Sequence, residues 1–191
     1  MLYDQQGNRK YLTADERRVF MKAAEQAEPE IGTFCLTLAY TGARISEVLA
    51  LTPRRVDLSV RGVTIESLKK RRAGVFRTVP VPEFLLQRLE DVHGITERQI
   101  DSIACNQRIW TFGRTTAWTR VKEAMHESGV VGAWAVPKGL RHGLGVECAV
   151  EASVPLNILQ RWLGHARLET TAIYANAIGQ EERKLASRLW H

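Results

Sequence analysis

The run from Ile31 to Tyr40, IGTFCLTLAY, limits the fold more than any other stretch of this chain. It is apolar nearly all round, so as a helix it has no face to offer water and belongs inside a core; Gly42 breaks it two residues later. A chain of 191 residues, 45% of them apolar, can build that core. At this size a domain buries about 70% of its unfolded surface, and the length argues for one compact domain rather than two. The same composition sets aside disordered, collagen-like and disulfide-scaffold classes.

Around the buried run the sequence reads as mostly helical. Thr13 with Glu16 three residues later gives a capping-box start for a helix through about Ala27. RISEVLAL makes a short amphipathic helix that stops at Thr52 and Pro53. VRGVTIESL and VFRTVPVP are β-type runs separated by the basic stretch Lys69, Lys70, Arg71, Arg72, Ala73 and Gly74, and together predict a small antiparallel sheet. Pro82 suits the first turn of a helix over EFLLQRLEDV, which Gly94 ends. Residues 95 to 113 carry no clear period. Trp118, Val121 and Met125 are expected on one helical face, and LRHGLGVECAVEA, NILQRWLG, a segment around Thr170, Thr171 and Tyr174, and EERKLASRLW complete the helices. The expected class is mainly α with a small antiparallel β-sheet, an α+β fold.

Charge and cysteine content narrow the function. Lys and Arg number 27 against 21 Asp and Glu, a net charge of +6 that favours an anionic partner without identifying it. No run reaches the ~18 apolar residues of a membrane helix, and the polar start does not read as a secretory signal, so a cytoplasmic protein is expected, nucleoid-associated if bacterial. Cys35, Cys105 and Cys148 are odd in number and widely spaced, which fits buried thiols rather than disulfides or a zinc site.

Taken singly, the polar candidates have ordinary structural readings. Arg44 and Glu47 are spaced i,i+3 as a surface ion pair would be, Arg141 looks like an exposed basic helix start, and His165 after Gly164 like a helix-end histidine. Tyr174 on a helix face reads as a core aromatic. Their joint order is more specific: TGARISEVLAL, SLKKRRAGVFRTVPVP, PKGLRHGLG and LGHARLETTAIYA follow one another along the chain. These four segments resemble the catalytic boxes of the tyrosine recombinases, the phage integrase family, from about Leu12 onward.

The resemblance implies the tyrosine recombinase catalytic-domain fold and a site assembled from all four boxes. Arg44 matches the first arginine and Glu47 the acidic residue supporting it. Lys69 matches the β-hairpin lysine, with Lys70 a close rival; Arg141 matches the second arginine, His165 the histidine of the Leu-Gly-His box, and Tyr174 the nucleophile nine residues later. Lys70, Arg71, Arg72 and Arg77 are expected against DNA. Lys138 fills a slot, three residues before Arg141, where the family usually has histidine; it is expected among the catalytic residues, where a lysine can still hydrogen-bond a phosphate oxygen, and His142 is off that register.

The implied activity is site-specific cleavage and rejoining of double-stranded DNA through a 3′-phosphotyrosine, with neither metal nor cofactor. The implied assembly is monomeric when free and tetrameric on two DNA sites, with room for accessory proteins. The alternative is a DNA-binding regulator with the same fold and impaired catalysis. Residues 1–11 are expected as a polar lead-in, 12–178 as the catalytic domain and 179–191 as a tail helix packing on a neighbouring protomer. So short a lead-in resembles the compact members that lack an N-terminal core-binding domain, such as fimbrial phase-switch invertases, or else a fragment.

Overall fold

The computed structural model describes residues 1–68, 74–176, 180–187 and 189–190, leaving aside the side chains at 180, 181, 184 and 185. Helix α1 (Ala14–Gln26) starts with the expected capping box, in which the Thr13 hydroxyl accepts from the Glu16 amide and the Glu16 carboxylate from the Thr13 amide. Helix α2 (Pro29–Thr41) is the buried run, with Phe34, Cys35, Leu36 and Ala39 fully enclosed. Its three threonines tolerate this because each hydroxyl donates to a carbonyl of the preceding turn: Thr33 to Glu30 at 3.0 Å, Thr37 to Thr33 at 2.7 Å and Thr41 to Thr37 at 2.6 Å. Gly42 ends the helix at φ +59°, and a Cβ there would meet Leu144 and Leu163, each at 2.8 Å.

Helix α3 (Ile45–Leu49) and a 3₁₀ turn (Pro53–Arg55) lead into the sheet. The sheet has three antiparallel strands, β1 (Val56–Asp57), β2 (Gly62–Glu66) and β3 (Phe76–Pro80), in that order. The sequence reading has only β2 and β3, because a two-residue strand is too short to show alternation. In β3 the alternation puts Arg77 and Val79 on the buried face and leaves Phe76 48% exposed, so the strand carries a charge toward the core.

Helix α4 (Glu83–His93) has Pro82 at its cap, one position before the expected first turn, and ends at left-handed Gly94. The unreadable stretch holds α5 (Ile95–Ile100), a 3₁₀ turn (Ala104–Asn106) and fully buried Trp110, which packs edge-on to Phe34 at 5.3 Å. Helix α6 (Arg114–Glu127) buries Ala117, Val121, Ala124 and Met125. Trp118 lies within about 20° of Met125 on the helical wheel, as expected, yet it is 45% exposed where Met125 is fully buried: it stands in the first two turns of the helix, at the edge of the seam that runs through 117, 121, 124 and 125.

The remaining helices are α7 (Pro137–Val150), α8 (Leu156–Leu163), α9 (Glu169–Ala172), continued by a 3₁₀ turn (Ile173–Asn176), and α10 (Gln180–Ser187). Helix α7 joins two apolar clusters: Leu140 lies in the larger one with α2, while Val146, Cys148 and Val150 lie in a second with Leu159, Leu163 and Tyr174. Leu2 and Tyr11 also belong to the second cluster, so residues 1–11, polar in sequence, are anchored in the fold at both ends. Arg17, 2% exposed, ties α1 to α2 and α7 by donating to the carbonyls of Ala39 and Leu140 and to Glu147. All three cysteines are buried and free, and among the described residues no helix is long and apolar enough to cross a membrane.

The N-terminal half of α7 is held close by glycine. A Cβ on Gly139 would lie 1.9 Å from the Trp134 carbonyl oxygen, and one on Gly143 would lie 2.4 Å from the Leu12 carbonyl oxygen and 2.8 Å from Arg17 Cδ. Gly143→Ala is therefore expected to lower the unfolding free energy by about 1–3 kcal/mol, read as a reduced urea midpoint at unchanged slope. Gly113→Ala, which meets open space, is expected to cost less than about 1 kcal/mol.

Candidate active site

Five segments deliver the side chains of the site. Arg44 is the residue before α3, and its backbone amide and guanidinium both donate to Glu47, at 3.0 and 2.6 Å. The carboxylate also accepts from Arg77 on β3, at 2.6 Å. Glu47 is 1% exposed and Arg77 3%, whereas Arg44 keeps 31% of its side chain exposed. Burial alone would raise the Glu47 carboxyl, but the Arg77 charge, the Arg44 amide and the Arg44 charge together hold it below its ordinary range. Glu47 is thus a buried anion that orients two cations.

Arg77 differs from its expected place on a DNA-facing surface. Its remaining nitrogens donate to the Trp162 carbonyl at 2.7 Å and to the Ser67 hydroxyl at 2.9 Å, so the guanidinium is used up inside the protein. A Cβ on Gly164, at φ +67°, would come within 3.0 Å of it, which ties the turn after α8 to this ion pair. Lys69, Lys70, Arg71 and Arg72 lie outside the described residues. Ser67 and Val75 flank that segment and also line a groove with Arg77, Gln160, Gly164 and His165.

Arg141 is buried in α7 and donates to the carbonyls of Gly42 and Leu163, the latter at 2.7 Å. Burial, then the neighbouring Arg44 charge, lowers it to about 10, so it stays a cation at neutral pH. His165 follows left-handed Gly164, and its Nδ1 is 2.9 Å from the Thr171 hydroxyl. Its ring lies nearly parallel to that of Tyr174, at 17° and 6.1 Å between centroids. Burial and the charges of Arg141 and Arg44 depress it to about 4, so it is neutral at pH 7.

Tyr174 sits in the 3₁₀ turn after α9 and is 0% exposed. Burial raises its phenol, and the charges of Arg141 and Arg44 offset part of that rise. Its ring lies against the α7 backbone at Gly145, where a Cβ would approach to 2.5 Å. Its hydroxyl lies 3.0 Å from His142 Nδ1. His142 is therefore a site residue that the slot-by-slot reading passes over as off register. Lys138, which fills the expected slot, is exposed on the first turn of α7. The missed signal is helical: His142 and Gly145 are spaced i,i+3 and together seat one tyrosine. The fold thus brings Arg44, Glu47, Arg141, His165 and Tyr174 together, and adds Arg77 and His142.

His93, His142 and His165 are each depressed from 6.5 to about 4, chiefly by burial. Such groups bind protons in the unfolded chain at pH values where the fold keeps them neutral, so stability is present above about 6.5 and falls as pH drops toward about 4. Unfolding free energies from urea titrations across that window are expected to fall by on the order of 1 kcal/mol or more per histidine. The His142→Asn and His165→Asn variants should each show a shallower decline.

The chain is similar to known proteins over most of its length. It is 30% identical over 179 residues to the tyrosine recombinase XerD of Mycobacterium tuberculosis, covering 86% of this chain and 56% of that protein. It therefore spans a little over half the length of that relative. A crystal structure of XerA recombinase superposes with a TM-score of 0.76 at 23% identity, over 93% of this chain and 64% of the other. XerH site-specific recombinase bound to difH substrate in a pre-cleavage complex gives 0.73 at 17% identity, over 99% and 60%. These likenesses show the tyrosine recombinase catalytic-domain fold. The profile of the phage integrase family matches residues 10–181, nearly the whole of what has been described, and the chain belongs to that family, the tyrosine recombinases.

Proposed function

We propose that this chain is a site-specific recombinase that cleaves and rejoins double-stranded DNA through a 3′-phosphotyrosine on Tyr174. The observation that carries this reading is the convergence of Arg44, Arg141 and His165, from three separate elements, on the surroundings of one tyrosine. Attack of a phenol on a phosphodiester puts negative charge on the non-bridging oxygens, and planar guanidiniums held in fixed positions stabilise it without reorganising. Glu47 and Arg77 hold Arg44; the two helix-end carbonyls hold Arg141. Neutral His165, anchored through Nδ1, has its other ring nitrogen left to donate to a phosphate oxygen.

The leaving 5′-oxygen needs a proton, and Lys69 or Lys70 supplies it in this reading. The resulting phosphotyrosine retains the free energy of the phosphodiester, so a 5′-hydroxyl from another strand reseals it without a nucleotide cofactor. One of the proteins named above, XerH, is a site-specific recombinase bound to its difH substrate, which supports duplex DNA as the substrate. The assembled arginines and tyrosine favour this reading over that of a regulator with impaired catalysis.

Tyr174→Phe is expected to keep the fold and DNA binding while losing the detergent-resistant protein–DNA adduct on nicked suicide substrates; an adduct formed by this variant would mean another nucleophile. Arg141→Ala is expected to slow adduct formation by about 100-fold or more. Lys69→Ala should slow cleavage of ordinary DNA and be rescued by a bridging 5′-sulfur, whose thiolate leaves unprotonated; rescue of Lys70→Ala alone would move the role to Lys70.

Strand exchange between two sites calls for four protomers, and the tail is the segment proposed to link them. Leu189 is 83% exposed and Trp190 63%, an apolar end suited to a neighbouring copy. Deleting residues 180 to 191 is expected to impair cleavage at paired sites more than binding to one site, measured by gel shift and adduct yield. Equal paired-site cleavage by the truncated chain would remove the tail from assembly.

A further inference from the structure

We propose that His142 is the general base that takes the proton of the Tyr174 phenol during strand attack, an inference that rests on the recombinase reading above. Among the described side chains it is the one with a polar atom at hydrogen-bonding distance from that oxygen, Nδ1 at 3.0 Å. To act as the base, His142 accepts at Nδ1 from the phenol O–H, the tautomer that carries its ring proton on Nε2. Burial, with the charges of Lys138 and Arg141 adding to it, keeps His142 neutral at pH 7, so the lone pair is present when it is needed.

The alternatives fit this task less well. Lys138, in the slot before Arg141, is exposed on the first turn of α7, whereas the phenol is fully buried and pairs with His142. His165 stacks on the tyrosine ring at 17° and commits Nδ1 to Thr171, so its ring does not point along the phenol O–H. His142 and Gly145 project from the same side of α7 one turn apart, so a single helix both presents the base and leaves the space that seats the ring. Tyr174 is 0% exposed, and the same hydrogen bond helps to keep the nucleophile seated.

The proton and bond changes close. The Tyr174 oxygen bonds to phosphorus as the bond from phosphorus to the 5′-oxygen breaks. The phenolic proton passes to His142 Nδ1, giving the imidazolium, and the hairpin lysine gives a proton to the 5′-oxygen. Rejoining reverses both transfers. The imidazolium then returns its proton to the departing phenolate, so no external acid or base is consumed.

The test is single-turnover adduct formation on nicked duplexes selected from a randomised library by covalent capture with the unaltered chain. His142→Ala is expected to lower the rate by about 100-fold or more. His142→Asn places an oxygen near the position of Nδ1 that can accept the hydrogen bond but not hold the proton, and is expected to be as slow as the alanine variant. A fluorinated tyrosine at position 174, with a more acidic phenol, is expected to restore at least tenfold of the rate to His142→Ala and to leave Arg141→Ala unrescued.

An asparagine variant as fast as the unaltered chain, or an alanine variant within threefold of it, overturns the proposal. Should the alanine variant fail to fold by circular dichroism, the asparagine variant and the nitrogen NMR shift of His142 Nδ1 decide. That resonance is expected to move in Tyr174→Phe, and an unmoved resonance means that the bond is absent. No adduct from the unaltered chain on any library member overturns the recombinase reading itself, whereas adduct that is indifferent to His142 overturns this inference alone.

Discussion

A single buried carboxylate makes the rest of the site possible. Arg44, Arg77 and Arg141 act on one another through the same low-dielectric region, and like charges there repel strongly unless something negative lies between them. Glu47 is that charge, with one oxygen on Arg44 and the other on Arg77 at 2.6 Å each. Removing one member of such a cluster leaves an uncompensated buried charge, which costs about 3–5 kcal/mol. Stability and chemistry are therefore joined at this position. The loop before α3 and strand β3 meet around the carboxylate, and the turn after α8 closes over Arg77.

The second organising element is α7, which serves both apolar clusters and carries Arg141 and His142 side by side. Consecutive residues on a helix point about 100° apart, so one helix can aim a cation at the ends of α2 and α8 and an imidazole at the tyrosine turn. Its glycines do the complementary work. Gly139 and Gly143 let neighbouring backbone approach, and Gly145 accepts the tyrosine ring. Precision in the site thus comes from packing two apolar clusters against a single rigid rod.

Most helices and the family were legible because their signals are local or sequential. A capping box, an all-apolar run and four ordered boxes can be read without knowing what touches what. The misses share the opposite character. In β3 polarity alone cannot say that Arg77 points inward while Phe76 is 48% exposed with the Arg55 guanidinium 4.3 Å above its ring. That inversion is explained only by Glu47, thirty residues away in sequence. Trp118's exposure is not legible because a large apolar residue at the edge of a buried seam is as compatible with the helix as one within it. His142 is not legible because its place along the chain relates it to Arg141, whereas its partner, Tyr174, comes from the tyrosine turn.

The two carbonyls that hold Arg141 belong to the ends of α2 and α8, and this has an electrostatic consequence. Aligned peptide dipoles leave roughly half an elementary negative charge at a helix C-terminus, spread over its last carbonyls. Arg141 is thus steadied by two fractional charges that belong to the backbone, which no side-chain mutation or proton can remove. The three guanidiniums share one carboxylate, so the pocket keeps an outward positive field even when every hydrogen bond within it is satisfied. Because Arg77 and Arg141 are buried, mobile salt ions screen that field less than they screen surface lysines. An anion drawn toward the protein by its surface charge would lose that attraction as salt rises, but the last few ångströms of its approach would not.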